Sequence, residues 1–138
     1  MKKILFILIF AISGQIFAQE QSQWISDYKV ALQQSESQNK PILVFVTDNQ
    51  KTESLELLKK EFFATEDFKA IEAKVILLKL DISNKESYNV RLGIHYLEER
   101  NASGLALINS YNDNIGEPLT EINSENIKSF ISFLNSKL

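Results

Sequence analysis

The chain has 138 residues, a formal net charge of −3 from 15 basic and 18 acidic side chains, a single histidine and no cysteine. The lack of sulfur ligands and nucleophiles excludes a disulfide framework, thiol–disulfide exchange by its own side chains, and the usual zinc or iron–sulfur sites. An acidic balance without a basic stripe argues against nucleic acid or an anionic membrane surface as partner.

Residues 1–18 read as an export signal. Met1-Lys2-Lys3 is a short basic start, residues 4–12 are an unbroken apolar run, and Ile16-Phe17-Ala18 leads to a cut before Gln19. A basic end, about 7–15 apolar residues and a small residue at the cut make a secretory signal peptide. The apolar run is shorter than the roughly 20 residues needed to span a bilayer. A buried N-terminal strand or helix is the alternative, disfavoured because such elements rarely begin with Met1 and two lysines. With no cysteine after the cut, lipid attachment there is excluded. The expected organisation is a signal peptide over 1–18 and one domain over 19–138, periplasmic or secreted, with no membrane span after cleavage. Losing Lys2 and Lys3 leaves 13 basic against 18 acidic residues, a formal charge of −5.

Residues 19–23 are polar and expected to fray. Apolar residues at helical spacing (Trp24, Tyr28, Ala31, Leu32) predict a helix over 24–38, ended by Asn39-Lys40-Pro41. Residues 42–46 are continuously apolar, as in a strand covered on both faces. A helix over 51–63 follows, carried by Leu55, Leu58 and Phe62, with Asp48 or Asn49 as its cap, then a short helix over 65–73. Residues 75–82 predict a second buried strand, interrupted only by Lys79 and Asp81. The pattern over 84–94 is helical with Gly93 as a stop, 96–103 is polar and irregular, and 105–108 is a third strand. Asn112-Asp113-Asn114 and Gly116 signal a turn, after which 117–120 pairs back as an edge, the only strand position that suits Pro118. The last helix spans 124–138, with Ser124 as cap and Ile127, Phe130, Ile131 and Leu134 on one face. The order helix, strand, helix, strand, helix, strand, strand, helix predicts an α/β three-layer sandwich, a mixed central sheet with helices on both faces.

Several segments in this order resemble the thioredoxin-like family. They are Trp24 and Ala31 before Asn39-Lys40-Pro41-Ile42-Leu43-Val44-Phe45, then Glu61-Phe62-Phe63-Ala64-Thr65-Glu66-Asp67-Phe68, Val75-Ile76-Leu77-Leu78-Lys79-Leu80-Asp81, Leu92-Gly93-Ile94, and Leu105-Ala106-Leu107-Ile108-Asn109. The resemblance covers nearly all of 24–138 and implies a thioredoxin fold. It also implies a Cys-x-x-Cys pair at the start of the helix after the first central strand, where the helix N-terminus lowers a thiol pKa. Counting back from Phe63 and Phe68 places that motif on Thr52, Glu53, Ser54 and Leu55; counting forward from Phe45 moves it one or two residues earlier. The family's cis-proline falls at about Ser103, before Gly104. No proline occurs between Pro41 and Pro118, and a cis bond without proline costs about 3 kcal/mol, so this loop is expected to be trans. Both halves of the redox site are missing. The expectation is a redox-inactive protein with no cofactor and no metal, binding a protein or peptide of the cell envelope through the former active-site groove. Its oligomeric state is left open.

Other readings compete. Thr52 or Ser54 could act as a hydroxyl nucleophile with His95 as base, which would make the protein a hydrolase; the ordinary reading of His95 is a surface residue beside Tyr96. A degenerate remnant of a thiol–disulfide oxidoreductase is a further alternative. Asp48, Glu53, Glu98 and Glu99 offer oxygen ligands but lack the spacing of a calcium loop, and read as solvated carboxylates. Asn101-Ala102-Ser103 matches a glycosylation pattern. Asp81 is expected at an exposed strand end, with Ser83-Asn84 supplying capping chemistry. Lys51, Lys59 and Lys60 among Glu53, Glu56 and Glu61 read as a solvated, ion-paired helix face.

Overall fold

The structure is a computed structural model that describes residues 23–100 and 102–138; the signal expected over 1–18 and Asn101 of the glycosylation pattern lie outside them. β1 (Ile42–Thr47), buried at all six positions, is the middle strand of a three-stranded sheet of order β2-β1-β3. It runs parallel to β2 (Ile76–Asp81), with Ile42 beside Ile76 and Thr47 beside Asp81. It runs antiparallel to β3 (Gly104–Ile108), with Ile42 opposite Ile108 and Val46 opposite Gly104. Successive side chains of a strand point to opposite faces, so an unbroken apolar run here feeds two cores at once.

One core takes Leu43, Phe45, Leu77, Leu105 and Leu107 from the sheet. Against it lie α2 (Glu53–Leu58), the π-helical turn Lys59–Phe63 that continues it, α3 (Glu66–Glu72) and α5 (Ser124–Lys137), through Leu58, Phe62, Phe68, Ile71, Ile127, Phe130 and Leu134. The other core takes Ile42, Val44, Val46, Leu78, Leu80, Ala106 and Ile108, covered by α1 (Tyr28–Gln38) and α4 (Tyr88–Leu97) through Ala31, Leu92, Tyr96 and Leu97. This is the three-layer arrangement with a mixed sheet that the sequence predicts.

The boundaries differ in instructive ways. Helix α1 starts at Tyr28, because Asp27 is extended and its carboxylate accepts a hydrogen bond from the Lys29 amide. Trp24 therefore lies outside the helix, beside Ile25, which donates to the Leu77 carbonyl and accepts from the Lys79 amide. Its indole packs on Phe45, Phe63 and Phe68 at centroid separations of 6.0, 5.7 and 6.3 Å, on the opposite side of the sheet from Tyr28 and Leu32. The expected cap of α2, Asp48 or Asn49, is instead Thr52, and that of α5 is Asn123 rather than Ser124.

Helix α4 begins four residues later than expected, runs through Gly93, and buries Tyr96 and Leu97 from the stretch read as irregular. Gly93 is a point of close approach: a Cβ there would stand 3.0 Å from Val46 Cγ1. The helix stops instead at Glu98, in the left-handed region at φ 60°. The expected edge strand over 117–120 is reduced to Leu119, which exchanges both backbone hydrogen bonds with Leu105 at 2.8 and 3.0 Å. Pro118 has no N–H to give, and Gly116 turns the chain at φ 70°.

Gly104 is the tightest point of the sheet. A Cβ there would fall 2.1 Å from the Leu119 carbonyl oxygen, a backbone atom that cannot swing aside. Gly104→Ala is expected to lower stability by about 3 kcal/mol or more, read as a fall in the urea midpoint followed by far-ultraviolet circular dichroism.

Candidate functional site

Register places the site. Parallel strands β1 and β2 end side by side at Thr47 and Asp81, and antiparallel β3 begins at the same end. Three connections, over 48–52, 82–87 and 102–103, therefore converge at the carboxyl end of the parallel pair, where open α/β sheets commonly meet their ligands.

The first connection is held by its own polar side chains. The buried Thr47 hydroxyl accepts from the Asn49 amide at 3.0 Å, and the Asp48 carboxylate accepts from the Gln50 amide at 3.0 Å. Asn49 takes φ 62°, a conformation asparagine tolerates better than most residues. The chain then reaches Thr52, which is extended at φ −112° and accepts from the Leu55 amide at 3.1 Å. Both positions that the resemblance reserved for sulfur thus have other work: Thr52 caps α2, and half-buried Leu55 packs against the first core.

Ser103 meets this loop. A narrow crevice of about 20 Å³ is walled by Thr47, Asp48, Gln50, Thr52, Ser54, Leu55 and Ser103 over a floor of Phe45, Leu58 and Ile122. That is room for one water among polar groups. On the outer side of Thr52 lies an open shelf formed by Lys51, Glu53, Glu56, Leu57 and Lys60. Glu53 and Glu56 occupy the first turn of α2, a placement that complements the helix dipole and repels an incoming anion. The Lys59 ammonium stands 3.8 Å from the Glu56 carboxylate, both exposed. Gly104 takes no part in the wall; it is buried against Leu119. All peptide bonds among the described residues are trans, including the one entering Ser103.

His95 is elsewhere. It sits on α4, the helix of the second core, and its Nε2 is 3.1 Å from the Asn112 carbonyl oxygen in the turn that leaves β3 after Ile108. That turn lies at the far end of the sheet, where Ile108 pairs with Ile42. Thr52 and Ser54 lie at the opposite end and on the opposite face, so the structure does not bring the hydroxyl–histidine pair together. Asp48, Glu53, Glu98 and Glu99 do not converge either: among the described residues no group of three or more acidic or histidine side chains is placed to hold a metal ion.

Asp81 lies exposed at the end of β2. Hydrogen bonds from the Ser83 hydroxyl and then the Ser83 amide hold its carboxyl below the usual carboxylate range, with smaller help from Lys79 and the Asn49 side chain. The amide bond is 2.9 Å long. The Ile82 amide donates to the Thr47 carbonyl at 2.9 Å, which ties the second connection to the end of β1. Burial pushes the Tyr96 phenol well above its ordinary value, and its hydroxyl donates to the Asn112 side chain.

Thr47 and Ile122 are the site features that the sequence reading missed. A threonine continuing the alternation of Leu43 and Phe45 was the available signal for the first; the second depends on a contact between distant segments.

The family model described as Thioredoxin-like matches residues 23–103, more than half of the chain. The chain belongs to the thioredoxin-like family. No curated protein matches its sequence. Solved structures do. A disulphide isomerase from Xylella fastidiosa Temecula1 is 18% identical with a TM-score of 0.57, over 78% of this chain and 88% of that one. DsbH oxidoreductase is 20% identical with a TM-score of 0.61, over 82% and 84%. The C-terminal domain of Neisseria meningitidis DsbD in the oxidised form is 14% identical with a TM-score of 0.61, over 84% and 100%. At such identities the likeness establishes the fold. This thioredoxin-like chain, with no cysteine in its sequence, is redox-inactive towards thiols and disulfides, because exchange requires an attacking thiolate.

Two outcomes test this geometry. Thr52→Ala is expected to cost about 1 kcal/mol of stability, whereas Thr52→Asp, an equally good cap, stays near wild type; urea unfolding of both variants measures this. For Asp81, a folded pKa below the unfolded value adds stability that is present above about pH 4 and is lost as pH falls through the folded pKa. Carboxyl ¹³C titration of Asp81 should show the low value, and Ser83→Ala should return it towards the ordinary range.

Proposed function

We propose that this protein is an exported, redox-inactive thioredoxin-like module that binds an extended peptide or protein segment of the cell envelope at the surface formed by residues 48–55 and Ser103. The observation that carries the reading is the meeting of Ser103 with the Thr52 loop around one crevice, beside an open shelf that presents Leu57 between Lys51 and Lys60. The surface keeps the concave relation of a loop, a helix start and a strand entry after the chemistry has been removed. The crevice admits one water and no side chain, so the ligand lies across the loops and places apolar groups on the shelf. The acidic first turn of α2 favours a peptide over a free anion.

Export rests on the leader pattern of residues 1–18. No described helix is long and apolar enough to cross a membrane.

Peptide-array binding tests the site, comparing wild type with a variant carrying Lys51→Glu, Thr52→Asp and Ser103→Asp. Aspartate keeps the cap at residue 52, so the variant should fold. Its affinity for the best wild-type peptide is expected to fall about tenfold or more. Equal affinities, with circular dichroism confirming both folds, would remove this surface from consideration.

A further inference from the structure

The edge beyond β3 carries a second feature that the former redox site does not use. Gly116, Glu117, Pro118, Thr120 and Glu121 form one wall of a groove of about 450 Å³. The facing wall is α5, through Asn126, Ser129, Phe130 and Phe133. Its bottom is apolar: Leu119, Phe130 and Phe133 belong to or pack against the first core. At one end Gly116 lets the Phe133 ring pack closely on the turn, since a Cβ there would lie 2.5 Å from it.

The rim has one sign of charge. Glu117 and Glu121 are exposed, and neither is ion-paired to any described residue. A third carboxylate, Glu99, reaches the same rim through the Thr120 hydroxyl at 3.4 Å. No lysine or arginine lines the groove; α5 carries Lys128 beside Ser129 and Lys137 one turn beyond Phe133. The backbone of the rim is half used. Leu119 directs its N–H and C=O to Leu105, and alternation along an extended chain turns the Pro118 carbonyl and the Thr120 amide outward.

We propose that this groove docks an extended partner segment in which lysine or arginine alternates with apolar residues. The apolar side chains enter between the edge and α5, cationic stems lie along the Phe133 ring with their heads at Glu117 and Glu121, and main-chain groups meet the outward backbone of Pro118 and Thr120. Charge complementarity selects this occupant: an acidic segment would face uncompensated carboxylates, and a purely apolar one would leave them unused.

Fluorescence anisotropy of a labelled decapeptide alternating lysine and leucine tests the proposal, with its glutamate–leucine counterpart as a probe of opposite charge. The groove variant carries Glu117→Lys and Glu121→Lys. A control variant carries Glu36→Lys and Glu86→Lys, the same change in net charge at exposed positions elsewhere. The expected result is binding of the lysine peptide by wild type, a loss of about tenfold or more in the groove variant, and a change within about twofold in the control. Phe133→Ala should weaken binding without altering its salt dependence. Failure of wild type to bind, equal losses in both charge variants, or equal binding of the glutamate peptide would overturn the proposal. The variant of Lys51, Thr52 and Ser103 should bind the decapeptide as wild type does, which separates this groove from the site proposed above.

Discussion

Strand β1 is hydrogen-bonded along both edges and buried on both faces, and the remaining structure follows from what that requires. A six-residue apolar strand with no solvent-facing side must be covered by helices above and below, and its backbone groups must pair with neighbours on either side. β2 supplies the parallel neighbour and β3 the antiparallel one. Because the two parallel strands end together while the antiparallel strand begins there, three connections are forced to one end of the sheet. The location of the candidate site is thus a consequence of strand direction.

At that end the chain shows how a thioredoxin-like fold is maintained without sulfur. Thr52 uses its hydroxyl to satisfy an amide of the first helical turn, and Leu55 turns the other position into core contact. Thr47, Asp48 and Asn49 hold the loop between them. Cysteine would give the first turn neither a strong cap nor as much apolar area. These side chains therefore serve the local structure, and none of them can carry out thiol exchange. The π-helical turn after α2 has a related role: it seats Phe62 in the core and Phe63 against Trp24 and Phe45, joining the N-terminal segment to the helix layer.

Much of the fold was legible because hydrophobic runs report burial directly. The three strands could be read from continuous apolar runs, and the helices over residues 53–63, 66–72 and 124–137 from periodicity. Three of the misreadings concern residues that fit two local descriptions. Trp24 fits the helical spacing of Tyr28 and Leu32, yet an extended backbone at Ile25 pairs with β2 and sends the indole to the other core. Gly93 resembles a helix stop, yet it is the point where α4 comes close to Val46. Tyr96 opens a stretch that turns polar from Glu98 onward, yet it is fully buried. In the site, Thr52, Leu55 and Ser103 were legible through the resemblance, whereas Ile122 comes from a segment far away in the chain, and no local pattern announces it.

Composition alone determined that this protein has no thiol chemistry, since a missing atom cannot be supplied by folding. The order of apolar segments determined the layered sheet, because burial of continuous strands admits few arrangements. Only the tertiary structure decided which chemistry-bearing residues meet: it joined Ser103 to the Thr52 loop and sent His95 to the opposite face and end of the sheet. Strand direction and crossover geometry set distances between remote residues, and those are properties of the folded chain.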